Sequence, residues 1–153
     1  MDIANLSFRT FVHATEDPER VEKALRFVSG AENVSRSSST GYYGNPIIIL
    51  EAKITDSKHI KALLRSLGPE TLRVLLETLD RRLDEESFFY FRLDKQEAFL
   101  ERFVLADGED VIAVRGKVKS YPQSRDNAMI SMRNILQSEI DRAARMEQRG
   151  REA

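Results

Sequence analysis

Arg115, Lys117 and Lys119 stand two apart in the segment from Val111 to Lys119, and Phe88, Tyr90 and Arg92 stand two apart in the segment from Ser87 to Leu93. Side chains at that spacing share one face of an extended strand. Bases stack on aromatic rings and guanidinium planes, at about 1–3 kcal/mol per base, while lysine and arginine neutralise phosphates. A sheet face carrying both segments therefore has the chemistry to grip nucleic acid if it lies open. The residues left over by the other strands add Ser7, Arg9, Phe11 and His13, together with Glu51 and Lys53. Such a surface suits RNA better than duplex DNA and implies no readout of base sequence. Between the two principal segments runs Arg92-Leu93-Asp94-Lys95-Gln96-Glu97-Ala98-Phe99. Lys95 there is placed to pair either with a phosphate or with nearby acids.

Three readings of this face compete. Alternating charge is ordinary for a solvated strand face. Phe11, Phe88 and Tyr90 are more apolar than solvent contact needs, which fits a homodimer formed through the face. RNA contact is the third. Elsewhere the chain offers no sharper chemistry. It has no cysteine, which removes disulfides, thiolate metal sites and cysteine nucleophiles. His13 and His59 are far apart and share no ligand-like spacing, so no metal site is expected and His13 reads as a polar strand residue. The Gly41 to Pro46 segment lacks the lysine and the following helix of a phosphate loop, and reads as a turn entering a strand whose Tyr42 and Tyr43 could close over a bound strand. Asp84, Glu85 and Glu86 are adjacent and point in different directions, as in a solvated turn. No nucleophile, base and orienting group occur at a recognised spacing, so neither a catalytic residue nor a cofactor is expected.

The elements that must position the face follow from periodicity. Leu6, Phe8, Thr10 and Val12 alternate with Ser7, Arg9, Phe11 and His13, a half-buried strand. Asp17 caps and Pro18 opens a helix with Val21, Ala24, Leu25 and Val28 inward, stopped by Gly30. Ser35 to Pro46 is polar and small and reads as an exposed, mobile loop. Ile47 to Ile54 is a strand with Ile48, Leu50, Ala52 and Ile54 facing a core. Two helices follow, one with Ile60, Leu63, Leu64 and Leu67 and one with Leu72, Leu75, Leu76 and Leu79, hinged at Gly68-Pro69. After a charged turn from Arg81 to Glu86 and the aromatic strand, Asp94 and Glu97 resemble a capping box for a short helix from about Lys95 to Glu101. Phe103 to Leu105 is a candidate strand, Asp107-Gly108 a turn, and Val111 to Lys119 the longest strand. A last helix begins near Ser124 with Met129, Met132, Leu136 and Ile140 inward, and residues 143–153 are expected to fray. The pattern predicts an α+β, two-layer sandwich, with a mostly antiparallel sheet and helices on one face.

The bulk properties fit. A chain of 153 residues is near the size of one domain, here 1–153, and buries a core without staples. With 24 basic against 25 acidic side chains the net charge is -1, so polyanion binding must come from local clustering. No apolar run approaches the ~18 residues of a membrane span, and the start lacks a secretion signal. A cytoplasmic protein without a membrane partner is expected.

The segment His13-Ala14-Thr15-Glu16-Asp17, the Tyr43-Gly44-Asn45-Pro46 loop, the Asp94-Lys95-Gln96 triplet followed by Ala98, and Tyr121-Pro122 after a Val-Lys strand occur in an order that resembles an archaeal family of predicted RNA-binding proteins and predicted exosome subunits. The resemblance covers roughly Leu6 to Leu136. A neighbouring archaeal family of unknown function shares the Thr15-Glu16-Asp17 opening and the Lys95-Gln96-x-Ala98 segment. The resemblance implies a fold similar to that of the ribosomal protein that holds 5S RNA, no catalytic activity, and RNA as partner, with exosome or ribosome components as further partners. It marks Lys95 and Gln96 as motif positions with Arg92 beside them. The expected RNA-binding set is Arg9, Phe11, His13, Lys53, Tyr90, Arg92, Lys95, Gln96, Arg115, Lys117 and Lys119, and the alternative is a homodimeric protein-interaction module.

Overall fold

A computed structural model describes residues 1–40, 44 and 46–152. β1 (Ile3–Val12) is followed by α1 (Pro18–Ser29), β2 (Ser35–Thr40), β3 (Pro46–Ile54), α2 (Ser57–Leu67), α3 (Pro69–Glu77), α4 (Leu79–Arg82), β4 (Phe88–Asp94), α5 (Lys95–Phe99), β5 (Val111–Val118) and α6 (Arg125–Glu152). The strands form a five-stranded sheet in the order β2-β3-β1-β5-β4 with every pairing antiparallel. This is the α+β architecture that the periodicity predicts.

Local chemistry sets the boundaries. The Asp17 carboxylate accepts from the Glu19 amide at 3.0 Å, and α1 ends where Gly30, at φ 68°, turns its N–H back to the Arg26 carbonyl. Glycine adopts that left-handed conformation without penalty. Asp56 accepts from the Lys58 amide at 2.9 Å and Asp94 from the Glu97 amide at 2.9 Å, so α2 and α5 are capped by the acids that the sequence offers.

The register sorts the side chains. Phe8 lies opposite Ala52 and Val114, which in turn faces Phe91, and all four are buried. Leu6, Val12, Leu50, Phe89, Leu93, Ile112 and Val118 share that side, where Leu25, Leu64, Leu72 and Leu136 of the helices join one apolar core. Fully burying a phenylalanine or leucine contributes about 1.5–3 kcal/mol, so the helices are held to this one face.

Three elements differ from the pattern-based expectation. Ser35–Thr40 is no loop: β2 pairs with β3 from Ser35 opposite Glu51 to Thr40 opposite Pro46, and all six of its side chains are exposed. Nothing in its side chains repeats with period two, because the backbone ladder along the β3 edge holds it; a short polar strand also blunts that edge. Arg81 and Arg82 belong to the short α4 within the stretch read as a turn. Leu105 forms a single bridge with Leu93 in place of a full strand. Tyr42, Tyr43 and Asn45 lie outside the described residues. The last helix continues past Arg142 to Glu152, and no helix among the described residues is long and apolar enough to cross a membrane.

Candidate nucleic-acid interface

The side of the sheet opposite the helices carries the residues of the other parity. One row across it runs Lys53, Ser7, Arg115 and Tyr90; the next runs Glu51, Arg9, Ala113 and Arg92; a third joins Lys117 to Phe88. Seven of the expected contact residues, Arg9, Phe11, Lys53, Tyr90, Arg92, Arg115 and Lys117, are thus brought to one face, and Phe11 and Tyr90 are 41% and 40% exposed there. Small side chains at Ser7 and Ala113 leave a shallow hollow of about 250 Å³ in the middle, walled by Arg9, Tyr90 and Arg115.

The groups on this face are partly tied to one another. The Arg115 guanidinium lies 4.6 Å and the Lys117 ammonium 4.9 Å from the Phe88 ring centre, so two cations share one aromatic ring. Lys117 also donates to the Glu86 carbonyl. Arg9 sits 3.5 Å from Glu51, a solvent-exposed pair of the kind that contributes about 0–1 kcal/mol and exchanges readily for another anion. Tyr90 donates to Asp84 at 2.9 Å, and the same carboxylate accepts from the Phe88 and Glu86 amides. Partial burial pushes the Asp84 pKa up, but the Phe88 amide, the Tyr90 hydroxyl and the Glu86 amide outweigh it and hold it below the ordinary value. Burial and then Asp84 raise the Tyr90 phenol, so the ring keeps its proton and its orientation.

Four expected residues lie off the sheet face. Lys119 is exposed just beyond β5, and its N–H donates to the Asp2 carbonyl at 2.6 Å. His13 is exposed past the end of β1, and Gln96 donates to Asp110 at 2.9 Å on the turn side of α5. Lys95 is 1% exposed, and its ammonium donates to the Phe11 carbonyl at 2.7 Å and to Glu16 at 2.9 Å, with Asp110 at 3.1 Å. Its charge is consumed inside the protein, so of the two partners open to it in the sequence the structure gives it the acids. Hydrogen bonding from Gln96, with Lys95 adding to it against partial burial, holds the Asp110 pKa below its ordinary value. His13, Glu16 and Asp110 place ligand-type atoms within 4.8 Å of one another, a grouping that their distance in sequence hides. The Lys95 ammonium already bonds both carboxylates there, so a divalent ion would have to compete with a built-in cation.

Two of these motifs therefore meet in space: Glu16, from the segment after β1, bonds Lys95 at the start of α5, and Asp110 joins Lys95, Gln96 and His13 to the same cluster. A family model described as RNA binding matches residues 5–118, from β1 through β5. The chain belongs to the RNA-binding family. Within this family it is 37% identical to "RNA-binding protein PAB1135" of Pyrococcus abyssi, over 88% of this chain and 94% of that protein. The crystal structure of AF2318 from Archaeglobus fulgidus and the structure of Mth689 from Methanothermobacter thermautotrophicus, both described as DUF54 proteins, superpose with a TM-score of 0.77 at 34% identity. They cover 86% and 88% of this chain and 98% of their own. The relation to this RNA-binding family thus extends over both the sheet and the motif cluster. Glu16 and Asp110 are partners that spacing in sequence could not supply, because each meets its target through the fold, whereas Asp84 meets the Glu86 and Phe88 amides and the Tyr90 hydroxyl within six residues.

Proposed function

We propose that this protein is a non-catalytic RNA-binding protein of the cytoplasm, acting as an exosome or ribosome accessory factor, and that RNA lies across the open sheet face. The observation that carries the reading is the juxtaposition of Arg9, Tyr90 and Arg115 around the hollow above Ala113, with Arg92 and Lys117 beside them on the side of the sheet that the helices leave bare. Membership of the RNA-binding family supports it independently. Rings and guanidiniums offer stacking surfaces, and the ammonium groups of Lys53, Lys117 and Lys119 offer phosphate contacts. The near-neutral net charge means that affinity depends on this local cluster and falls steeply with salt.

Fluorescence anisotropy with single-stranded and structured RNA at two salt concentrations tests the proposal. The triple variant Arg115→Gln, Lys117→Gln, Lys119→Gln is expected to bind about tenfold or more weakly, with a log–log salt slope lower by about two. Flat titrations of the unaltered protein at low salt would end it. The exposed rings of Phe11 and Tyr90 favour a second reading, a homodimer through the same face. Sedimentation at micromolar concentration separates the two: a Phe11→Ser, Tyr90→Ser protein that becomes monomeric while keeping its RNA affinity would make assembly the role of this face.

A further inference from the structure

Along the outer edge of β4 runs a groove of about 620 Å³, lined by Val74, Arg81, Arg82, Tyr90, Arg92 and Asp107 among others. It opens beside the sheet face and is continuous with it through Tyr90 and Arg92. Three guanidiniums converge here against the carboxylate of Asp107. Among the described residues none of the three is in an ion pair. Arg82 donates to the Thr78 hydroxyl at 2.6 Å and reaches the Tyr90 carbonyl at 3.5 Å, Arg92 reaches the Gly108 carbonyl at 3.4 Å, and the Arg81 side chain makes no hydrogen bond among the described residues. Burial first, then the charge of Arg81, with Arg92 adding and Asp107 opposing, lowers the Arg82 pKa. Crowded cations lacking equal counter-charge are poised to take an anion.

The backbone adds to this. The Phe88 carbonyl accepts from the Asp84 amide and the Arg92 carbonyl from the Ala106 amide, both at 3.0 Å, so neighbouring segments cover the two ends of the β4 edge. Tyr90 stands two residues from each and turns its backbone groups to the same outer side. The gap is about one residue long. That is too short for an added peptide strand, which needs a run of ladder bonds, and its Tyr90 carbonyl already faces Arg82; what the groove offers instead is its guanidiniums, each able to give a phosphate two parallel bonds.

We propose that the β4 edge groove is a phosphate-binding site for the backbone of the RNA that crosses the open face, with Arg81, Arg82 and Arg92 as its contacts. The proposal rests on the RNA-binding reading and adds a site that neither the strand pattern nor the family motifs contain. Neither Arg81 nor Arg82 belongs to the sheet face, so the two sites separate by mutation.

The test compares Arg81→Gln, Arg82→Gln with Arg115→Gln, Lys117→Gln and the unaltered protein, by anisotropy with a fluorescein-labelled single-stranded RNA across a salt series. The groove variant is expected to bind at least about tenfold more weakly, with a salt slope lower by about 1.4 for two lost contacts. Wild-type affinity and slope in the groove variant would overturn the groove while leaving RNA on the sheet face. Absence of RNA binding by the unaltered protein would overturn both. Displacement of the RNA by polyglutamate at comparable concentration would reassign the groove to acidic peptides and overturn the RNA assignment. Thermal melting checks folding. If the double variant melts early, Arg81→Glu, at a side chain with no internal bond, carries the same comparison with the same outcomes.

Discussion

Lys95 is the residue at which sequence type and structural role diverge most. A lysine at the start of a helix inside a polar motif invites a surface contact, yet its ammonium is enclosed by the Phe11 carbonyl, Glu16 and Asp110. Enclosing a charge is tolerated only when it is paired and hydrogen-bonded, and the two carboxylates here meet that need from distant parts of the chain. One Glu16 oxygen is buried without a partner, so the cluster has little capacity to lose its cation. Lys95→Met, of similar length but uncharged, is expected to lower stability by about 3 kcal/mol, because it leaves Glu16 largely enclosed without its counter-charge. Urea unfolding measures this. A loss below about 1 kcal/mol would mean that the carboxylate is hydrated or protonated at little cost.

At the scale of the element, β5 is the strand that both sites lean on. It holds Arg115 and Lys117 outward and Ile112, Val114 and Val118 inward, and at Gly116 it has no inward side chain. A Cβ at Gly116 would stand 2.7 Å from Cδ2 of Leu6 and 3.2 Å from the Asn5 carbonyl oxygen. The glycine is therefore explained by the close approach of β1, and its φ is not in the left-handed region. Gly116→Ala is expected to cost about 1–3 kcal/mol through overpacking. Thermal melting of the variant checks it, and unchanged stability would show that Leu6 has room to move. The groove at β4 likewise depends on an element, α4, whose four residues set two arginines beyond the sheet edge.

For the whole molecule, the helices pack on one sheet face and leave the other to solvent, and α6 extends that division beyond the core. Ala128, Met132, Leu136 and Ile140 of α6 are buried, and Glu139 reaches Arg65 at 3.0 Å. From Ala144 to Arg151 the side chains are exposed, with an Arg151 to Glu147 pair within the helix itself. Such a segment gains about 0.2–0.5 kcal/mol from each pair of this kind and little from packing. Amide hydrogen exchange followed by NMR is expected to give protection near the global value up to Ile140 and rapid exchange beyond Arg142. Slow exchange beyond Arg142 would point to an additional packing partner for the tail.

The amino-acid sequence determined the parity of each strand and the stripe of each helix, because burial imposes periods of 2 and 3.6 that a linear chain displays directly. It therefore placed Arg9, Tyr90, Arg115 and Lys117 on the face away from Phe8 and Phe91. Caps at Asp17 and Asp94 were legible too, because each acts within three residues of itself. The pairing of β2 was not, since Ser35–Thr40 is held by backbone bonds to β3 that leave no mark in side-chain pattern. Nor was the burial of Lys95 or the convergence of Arg81, Arg82 and Arg92. Those depend on contacts across as many as 84 positions of sequence, and only the folded chain decides which charges meet a partner and which are left to attract one.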